Sequence, residues 1–260
     1  MSNIQSAFEK KKLEGHKAFI PFITAGDPCI EATEKFIYAL EAAGSTIIEL
    51  GIPFSDPIAD GPVILRANLR AMEKGVDIDK VFNLVERVRK NTQIPLVFLL
   101  YGNIIYHYGI EKFFRRCEEV GVDGVIVPDV PMEEKEEFTI YAKAKGVDFI
   151  SLIAPTSKDR SKAICENAMG FLYCVSSLGV TGTRDQIQTD LKDMFERIKA
   201  YCNIPTALGF GISNKEQAAS LKDYADGVIV GSAMVKIIEQ YGEESEKPLL
   251  EFAKGFVEVL

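Results

Sequence analysis

The sequence predicts an α/β fold in which eight strand–helix units close into one barrel. Three observations carry this prediction: eight short apolar runs recur along the chain, segments of helical period lie between them, and no change in composition marks a domain boundary. Nearly continuous apolar strands separated by helices indicate a parallel sheet covered on its outer side, because each crossover connection places a helix there. We therefore expect residues 1–260 to form a single (βα)8 barrel domain of the TIM type.

The eight strands are predicted from the apolar runs, whose length is typical of buried parallel strands. In chain order they cover residues 19–24, 46–50, 96–100, 124–127, 148–153, 171–175, 206–208 and 227–230. The main helices are predicted where apolar residues recur at helical spacing. These helices cover residues 31–43, 79–90, 110–120, 133–145, 158–167, 189–201, 214–221 and 232–241.

Boundary residues support these elements. Asp27-Pro28 and Ser213-Asn214 supply capping chemistry at helix starts. An extra helix is expected at the N terminus, and another over residues 65–72 makes the loop after the second strand long. The loop after the sixth strand, residues 176–185, is also long and contains glycine, which makes it a candidate cover for an active site. Three glycines suit the left-handed position that ends a helix: Gly44, Gly121 and Gly146.

The composition argues against several classes of function. Apolar residues make up 47% of the chain and charged residues 26%, as in ordinary soluble proteins, and no apolar stretch is long enough to span a membrane. The N terminus lacks the pattern of a signal or transit peptide, so we expect a cytoplasmic protein. A net charge of −8 argues against nucleic-acid binding, and two histidines with five dispersed cysteines argue against a zinc site. We expect the cysteines to be reduced.

The first candidate for chemistry is Glu49, the lone charge within the second predicted strand. Burying a carboxylate without a partner costs several kcal/mol, so something must offset that cost. If Ile48 faces the helices, Glu49 points into the barrel mouth, where such barrels carry their active sites. The alternative is an interior carboxylate paired with a lysine or an arginine.

Seven segments in the same order resemble the tryptophan synthase alpha subunit family. The most specific is the loop GIPFSDPIADGP over residues 51–62. The others are FIPFITAGDP at 19–28, PDVP at 128–131, APTS at 154–157, GVTG at 179–182, GFGIS at 209–213 and DGVIVGSA at 226–233. The resemblance implies a lyase that cleaves indole-3-glycerol phosphate to indole and glyceraldehyde 3-phosphate by a retro-aldol reaction. It also implies that indole passes to a β subunit in an α2β2 heterotetramer, for the last step of L-tryptophan biosynthesis. Pyridoxal phosphate is then expected in that β subunit, and no cofactor in this chain.

The resemblance pairs Glu49 with Asp60 as the acid–base groups and places Tyr173 beside the glutamate. Glu49 would exchange a proton with the substrate, and Asp60 would accept the indole N–H. Apolar neighbours are expected to raise the pKa of Glu49. Asp60 could instead stabilise its own turn, and Tyr173 could pack as an ordinary barrel residue.

The phosphate would be held by backbone amides at three strand ends, since neither the GFGIS nor the DGVIVGSA motif contains a lysine or an arginine. Any one of these glycines, taken alone, could instead be required by the geometry of a turn. The predicted donors are Gly182, Gly211, Gly231 and Ser232, with the Ser232 hydroxyl as a further donor.

By the same resemblance, an apolar pocket would hold the indole, although each of its residues could also be plain core. Thr181 would hydrogen-bond Asp60 when the sixth loop closes, and Thr183-Arg184 departs from the small residue more usual there. Leu100 could take the inward position in place of Leu99. The predicted pocket residues are Phe22, Leu99, Ile153 and Phe210.

The partner surface implied by the resemblance contains Asp56 and the loop 101–109 after the third strand. That loop contains three tyrosines and two isoleucines, which a buried interface would explain. His107 is expected there rather than in catalysis.

Three other functions remain as alternatives to an α subunit: a free-standing lyase, another phosphate-binding barrel enzyme such as a sugar-phosphate isomerase, and a non-catalytic regulator. A sugar-phosphate isomerase usually has a catalytic lysine or histidine at a strand end, and this sequence has none there. A non-catalytic regulator would have lost the acid pair, and both acids are present in this chain.

Overall fold

The computed structural model describes residues 1–175, 184–209 and 211–260. Eight parallel strands pair in sequence order, and β1 pairs with β8 to close the barrel, which confirms the predicted fold. Each strand lies within about two residues of its predicted bounds. The strands are β1 (Ala18–Thr24), β2 (Ile48–Gly51), β3 (Leu96–Leu99), β4 (Gly124–Ile126), β5 (Asp148–Ile153), β6 (Leu172–Val175), β7 (Thr206–Gly209) and β8 (Gly227–Val230).

Helices surround the barrel. They are α1 (Asn3–Leu13), α2 (Ile30–Ala42), α3 (Pro62–Glu73), α4 (Ile78–Val88), α5 (Gly102–Tyr108), α6 (Ile110–Val120), α7 (Glu136–Ala144), α8 (Ser161–Glu166), α9 (Arg184–Tyr201), α10 (Lys215–Leu221), α11 (Ser232–Tyr241) and α12 (Glu246–Val257). The expected extra helices are α1 and α3, whereas α5 and α12 were not predicted. The predicted glycines at 44, 121 and 146 all have positive φ.

Alternation along the strands separates two apolar layers. On and beside β2, Ile47 packs inside the barrel, whereas Ile48 and Leu50 pack outside against the helices. Because successive strand residues point to opposite faces, Glu49 faces inward, as the sequence predicts. The strand register places Glu49 beside Phe22 of β1 and Val97 of β3.

The N-terminal end of the barrel is covered by α1. Ile4 and Phe8 belong to the inner apolar cluster, and the ring of Phe8 lies 5.6 Å from that of Phe171. A Cβ on Gly124 would lie 2.9 Å from Ile4 Cδ1, so α1 can approach β4 this closely because position 124 has no side chain. The strand ends available for chemistry are therefore those at the opposite end.

Two local predictions are wrong. The segment after β3 is not an exposed loop, since it forms α5, in which Ile105 is fully buried, and Tyr101 before it is buried as well. Aromatic residues there serve the core, and Tyr106 alone among the large apolar side chains of this segment stays markedly exposed, at 47%. Asp27 does not cap α2, because Cys29 does and the buried Asp27 carboxylate receives two hydrogen bonds from Arg70, each 2.8 Å long.

Among the helices that the structure describes, none combines the length and the apolarity needed to cross a bilayer.

Candidate active site

A cavity of about 690 Å³ opens at the C-terminal ends of the strands. It lies between the β2–α3 loop, the end of β6 and the start of α11. Its lining residues include Phe22, Glu49, Asp60, Leu99, Leu152, Tyr173, Gly211, Gly231, Ser232 and Lys236. A second cavity, of about 760 Å³, lies at the other end beside α1. We place the site in the first cavity because two carboxyl groups with raised pKa converge there, which is typical of active sites.

Glu49 is 1% exposed, and its Oε2 has no hydrogen-bond partner among the described residues. No lysine or arginine of the described chain forms an ion pair with it, which argues against the paired-carboxylate alternative. Burial raises its pKa to about 8, and the nearby charge of Asp60 adds to the shift. Near neutral pH this carboxyl is therefore mostly protonated and can act as an acid.

Asp60 lies between β2 and α3 and points into the same cavity. Asn68 donates from Nδ2 to Asp60 Oδ2 over 3.3 Å, and the Tyr101 hydroxyl also interacts with this carboxyl. Burial raises the pKa of Asp60, while these two hydrogen bonds oppose the rise. The carboxyl is thus held by side chains from two different elements while it faces the cavity.

Asn68 and Tyr101 were not predicted as site residues. Asn68 is buried on α3, and Tyr101 accepts a hydrogen bond from the backbone N–H of Ala59 over 3.1 Å. The ring of Tyr101 also stacks on Phe54 at 5.3 Å between centroids. The sequence did contain a signal for Asn68, because it is the one amide side chain within the α3 segment PVILRANLRAME. A buried amide needs hydrogen-bond partners, so its position could have been examined for one.

Tyr173 lines the cavity from β6, beside Leu152 of β5 and Ala207 of β7. A Cβ on Gly209 would lie 2.6 Å from the Tyr173 hydroxyl oxygen, so the glycine leaves room for this side chain. Burial raises the pKa of Tyr173 well above its usual value, and the charges of Glu49 and Asp60 add to the rise. The phenol therefore stays protonated and can donate a hydrogen bond in the cavity.

Replacing Glu49 by Gln is expected to stabilise the fold near neutral pH. The pKa of Glu49 is about 8 in the folded protein, and about 4.3 is usual for an unfolded chain. Between these values only the folded state holds the proton, so the free energy of unfolding falls as the pH rises. At pH 7 this amounts to a cost on the order of 3 kcal/mol, which Gln avoids.

Denaturant unfolding of both proteins at pH 5 and pH 7 measures this effect. We expect the stability gained by Glu49→Gln to be larger at pH 7 than at pH 5 by about 2–3 kcal/mol. Parallel pH dependences for the two proteins would contradict the raised pKa.

The apolar wall contains Phe22 and Leu99, as predicted, and Leu100 faces the helices instead. The structure does not place Ile153 on the cavity: it packs in the layer between barrel and helices, and Leu152 lines the cavity instead. Phe22 fits because β2 ends in glycine: a Cβ on Gly51 would lie 2.5 Å from the end of the Phe22 ring.

The predicted phosphate donors Gly211, Gly231 and Ser232 line the same cavity. Gly231 immediately precedes α11, whose first turn therefore presents backbone N–H groups toward the cavity. Lys236 was not predicted, yet it also lines the cavity. Because it follows Ser232 by four residues, it lies on the same face of α11. Three predicted residues lie outside the described residues: Thr181, Gly182 and Phe210.

The cavity therefore combines a protonated acid, a second carboxylate, an apolar wall, a set of backbone donors and the Lys236 ammonium. This arrangement suits acid–base chemistry on a flat apolar group that carries an anionic tail. Within the described part of the chain, no group of three or more His, Cys, Asp or Glu side chains could hold a metal ion.

Comparison with known proteins gives a consistent result. The family model described as "Tryptophan synthase alpha chain" matches residues 8–257. The tryptophan synthase alpha chain of Thermoanaerobacter sp. (strain X514) is 50% identical over 260 residues, spanning 100% of this chain and 98% of the relative. The crystal structure of tryptophan synthase subunit alpha from Legionella pneumophila has a TM-score of 0.91 at 36% identity, with 100% of this chain and 98% of that chain covered. A structure of the tryptophan synthase a2b2 complex from Pyrococcus furiosus has a TM-score of 0.83 at 37% identity, covering 93% and 97% of the respective chains.

Proposed function

The chain belongs to the tryptophan synthase alpha chain family, and from this premise we propose that its C-terminal cavity cleaves indole-3-glycerol phosphate to indole and glyceraldehyde 3-phosphate. The protein is thus an enzyme subunit, and its proposed reaction class is a lyase working by retro-aldol cleavage. The observation that carries the proposal is that Glu49 and Asp60 line one cavity at the strand ends, together with an apolar wall.

In the proposed reaction, Glu49 begins as the acid. Its pKa of about 8 keeps it protonated near pH 7, and it delivers that proton to C3 of the indole ring. The positive charge that develops on the ring nitrogen is stabilised by the Asp60 carboxylate, which accepts the N–H hydrogen bond. The new Glu49 carboxylate then takes the proton of the glycerol hydroxyl as the C3–carbon bond breaks. The bonding electrons return to the ring, and Glu49 is protonated again.

Tyr173 is proposed as a supporting group, because its phenol lies on β6 close enough to sense the charges of both carboxyls. Asn68 and Tyr101 are proposed as positioning residues, which act through Asp60. The indole would lie against Phe22, Leu99 and Leu152. The proposal requires no cofactor in this chain.

The phosphate is proposed to bind the amides near Gly211, Gly231 and Ser232, with Lys236 adding positive charge. Replacing Lys236 by Met is expected to raise KM for indole-3-glycerol phosphate about two- to fivefold and to change kcat little. The side chain is exposed, and an exposed charge contributes only ~0.2–1 kcal/mol. Steady-state kinetics at low and high salt measure this, since salt screens the wild-type advantage.

Lys247→Met is the matched control, because Lys247 is 84% exposed on α12 and pairs only with Glu251 among the described carboxylates. An unchanged KM for Lys236→Met, or an equal rise for Lys247→Met, would contradict a phosphate role for Lys236.

We further propose that the rim beside the cavity binds a pyridoxal-phosphate-dependent β subunit in an α2β2 assembly, as the Pyrococcus furiosus a2b2 complex suggests. Asp56 is exposed on this rim, and Ile58 beside it is 79% exposed. Tyr106 of α5 is another exposed large side chain on the segment after β3. Exposed apolar side chains beside a cavity mouth are what a partner interface would cover.

Incubating the purified chain with indole-3-glycerol phosphate tests the proposed reaction. We expect indole and glyceraldehyde 3-phosphate to form in equal amounts, and to form faster when a tryptophan synthase β subunit is added. Equal rates with and without the β subunit would favour a free-standing lyase. No indole under either condition would overturn the proposed function.

A further inference from the structure

A further, smaller cavity lies outside the barrel wall, between α7 and α8. Its volume is about 200 Å³, and its polar lining includes Lys135, Ser151, Ser157 and Arg160. Pro128 and Leu152 line both this cavity and the larger one, so they form the partition between the two. The proposed reaction uses none of the four polar residues.

Lys135 is an unusual residue for such a place. Its side chain is buried, with the residue only 9% exposed, and its Nζ donates to Ser151 Oγ and lies 5.2 Å from the centroid of the Phe149 ring. No carboxylate lines the cavity, and no described carboxylate forms an ion pair with Lys135. A buried ammonium whose one hydrogen-bond partner among the described residues is a neutral hydroxyl lacks a full counter-charge.

Lys143 and Arg160 bring further positive charge to the surroundings of Lys135. Burial, together with the smaller effect of the Lys143 charge on α7, lowers the pKa of Lys135 to about 8. On the other side of the cavity, Arg160 immediately precedes α8 and is exposed at the cavity mouth. Neither the α7 side, nor β5, nor the α8 side places a carboxylate in the cavity lining.

Hydroxyl donors complete the lining. Ser157 Oγ accepts from the backbone N–H of Ala154 over 3.2 Å, and Ser151 Oγ accepts from Lys135. Because a hydroxyl both accepts and donates, each serine keeps a hydrogen that can turn toward a ligand. The cavity therefore offers an ammonium, a guanidinium and two hydroxyls, all of which can donate to an oxygen acceptor.

We propose that this cavity is a binding site for a small oxyanion, either a phosphate group or a carboxylate, held between Lys135 and Arg160. Its volume corresponds to roughly seven water molecules at ~30 Å³ each, which suits one anionic group and is below the ~300 Å³ of a typical organic-ligand pocket. The bound anion supplies the counter-charge that the buried Lys135 lacks. This site is distinct from the substrate's phosphate end, which lies at β7 and β8.

The test needs a readout that separates the two anion sites. The full chain is prepared with 13C-labelled lysine, and the Cε–Hε NMR signal of Lys135 is assigned by its loss in Lys135→Met. Sodium phosphate, sodium acetate and sodium chloride are then titrated at constant ionic strength. We expect the Lys135 signal to shift saturably with phosphate or acetate in the millimolar range and not with chloride. The tighter of the two oxyanions identifies the ligand class.

Two variants and an internal reference sharpen the result. Arg160→Gln should weaken the binding about two- to fivefold, because its charge is exposed. Lys135→Met should weaken it about 30-fold or more, measured as loss of anomalous density for selenate soaked into crystals at this cavity. The signal of Lys162, 67% exposed on α8 and paired with Glu166, should not saturate. A Lys135 signal that moves no more than that of Lys162, or equally with chloride, overturns the proposal.

Discussion

Glu49→Gln is expected to abolish cleavage of indole-3-glycerol phosphate while substrate binding is largely retained. Gln occupies the same volume and keeps hydrogen-bonding atoms, but it can neither deliver a proton to C3 nor take one from the glycerol hydroxyl. Because Glu49 serves both steps, the loss in kcat should reach the upper part of the ~10²–10⁴-fold range of general acid–base catalysis, or exceed it. Single-turnover indole release and the Kd of a substrate analogue measure the two effects separately.

The stability effect makes this result easy to interpret. Glu49→Gln should be more stable than the wild type at pH 7, so its inactivity cannot come from unfolding. Tyr173→Phe is the companion variant, since it removes only a supporting hydroxyl and should cost less than Glu49→Gln. A Glu49→Gln protein with wild-type turnover would remove the acid–base role of this residue.

Asp60→Asn is expected to lower kcat by about 10²–10³-fold with a smaller change in KM. The substitution preserves size and can keep the contacts with Asn68 and Tyr101, but it removes the negative charge. A charge that stabilises the ring cation matters mainly in the transition state, when that cation has formed, so kcat falls more than KM rises. Steady-state kinetics, with the ring nitrogen methylated in a second substrate, measure the loss and its dependence on the N–H.

Asp56→Asn is the matched control, because Asp56 is exposed four residues earlier on the same loop and its carboxylate accepts a hydrogen bond from Ser55. In the isolated chain this variant should keep wild-type turnover. Equal losses for Asp56→Asn and Asp60→Asn would indicate a general loop effect rather than a role of the Asp60 charge.

Much of the barrel could be predicted from local pattern. Strand β5 was predicted with its observed bounds, Asp148–Ile153, and α11 with its observed bounds, Ser232–Tyr241. Apolar runs and helical periods are local signals, and they remain legible because the barrel repeats one unit eight times. The inward direction of Glu49 was also predictable, because a lone charge in an apolar run breaks the ambiguity between the two faces.

The same reasoning failed where both faces of an element are apolar. In β5 the residues Leu152 and Ile153 are equally apolar, so only the pairing of Leu152 with Tyr173 across the strands decided which one faces the cavity. Tyr101 and Ile105 were misread for a related reason, since aromatic and branched side chains fit a buried helix as well as an interface.

The sequence by itself determined the fold class and the order of the elements, because both rest on neighbours along the chain. Its resemblance to the family also pointed to Glu49 and Asp60, which the structure places on one cavity. Only the tertiary structure decided that Asn68 and Tyr101 hold Asp60, that Lys236 lines the cavity with Gly211 and Gly231, and that Lys135 lies buried beside a cavity whose described lining contains no carboxylate. Asn68 and Tyr101 lie 8 and 41 positions from Asp60 along the chain. Lys236 shares its cavity with Gly211, which follows β7, and Lys135 shares its cavity with Ser151 of β5 and Arg160. Their distances are fixed by barrel closure and helix packing, which no local pattern of apolar and polar residues encodes.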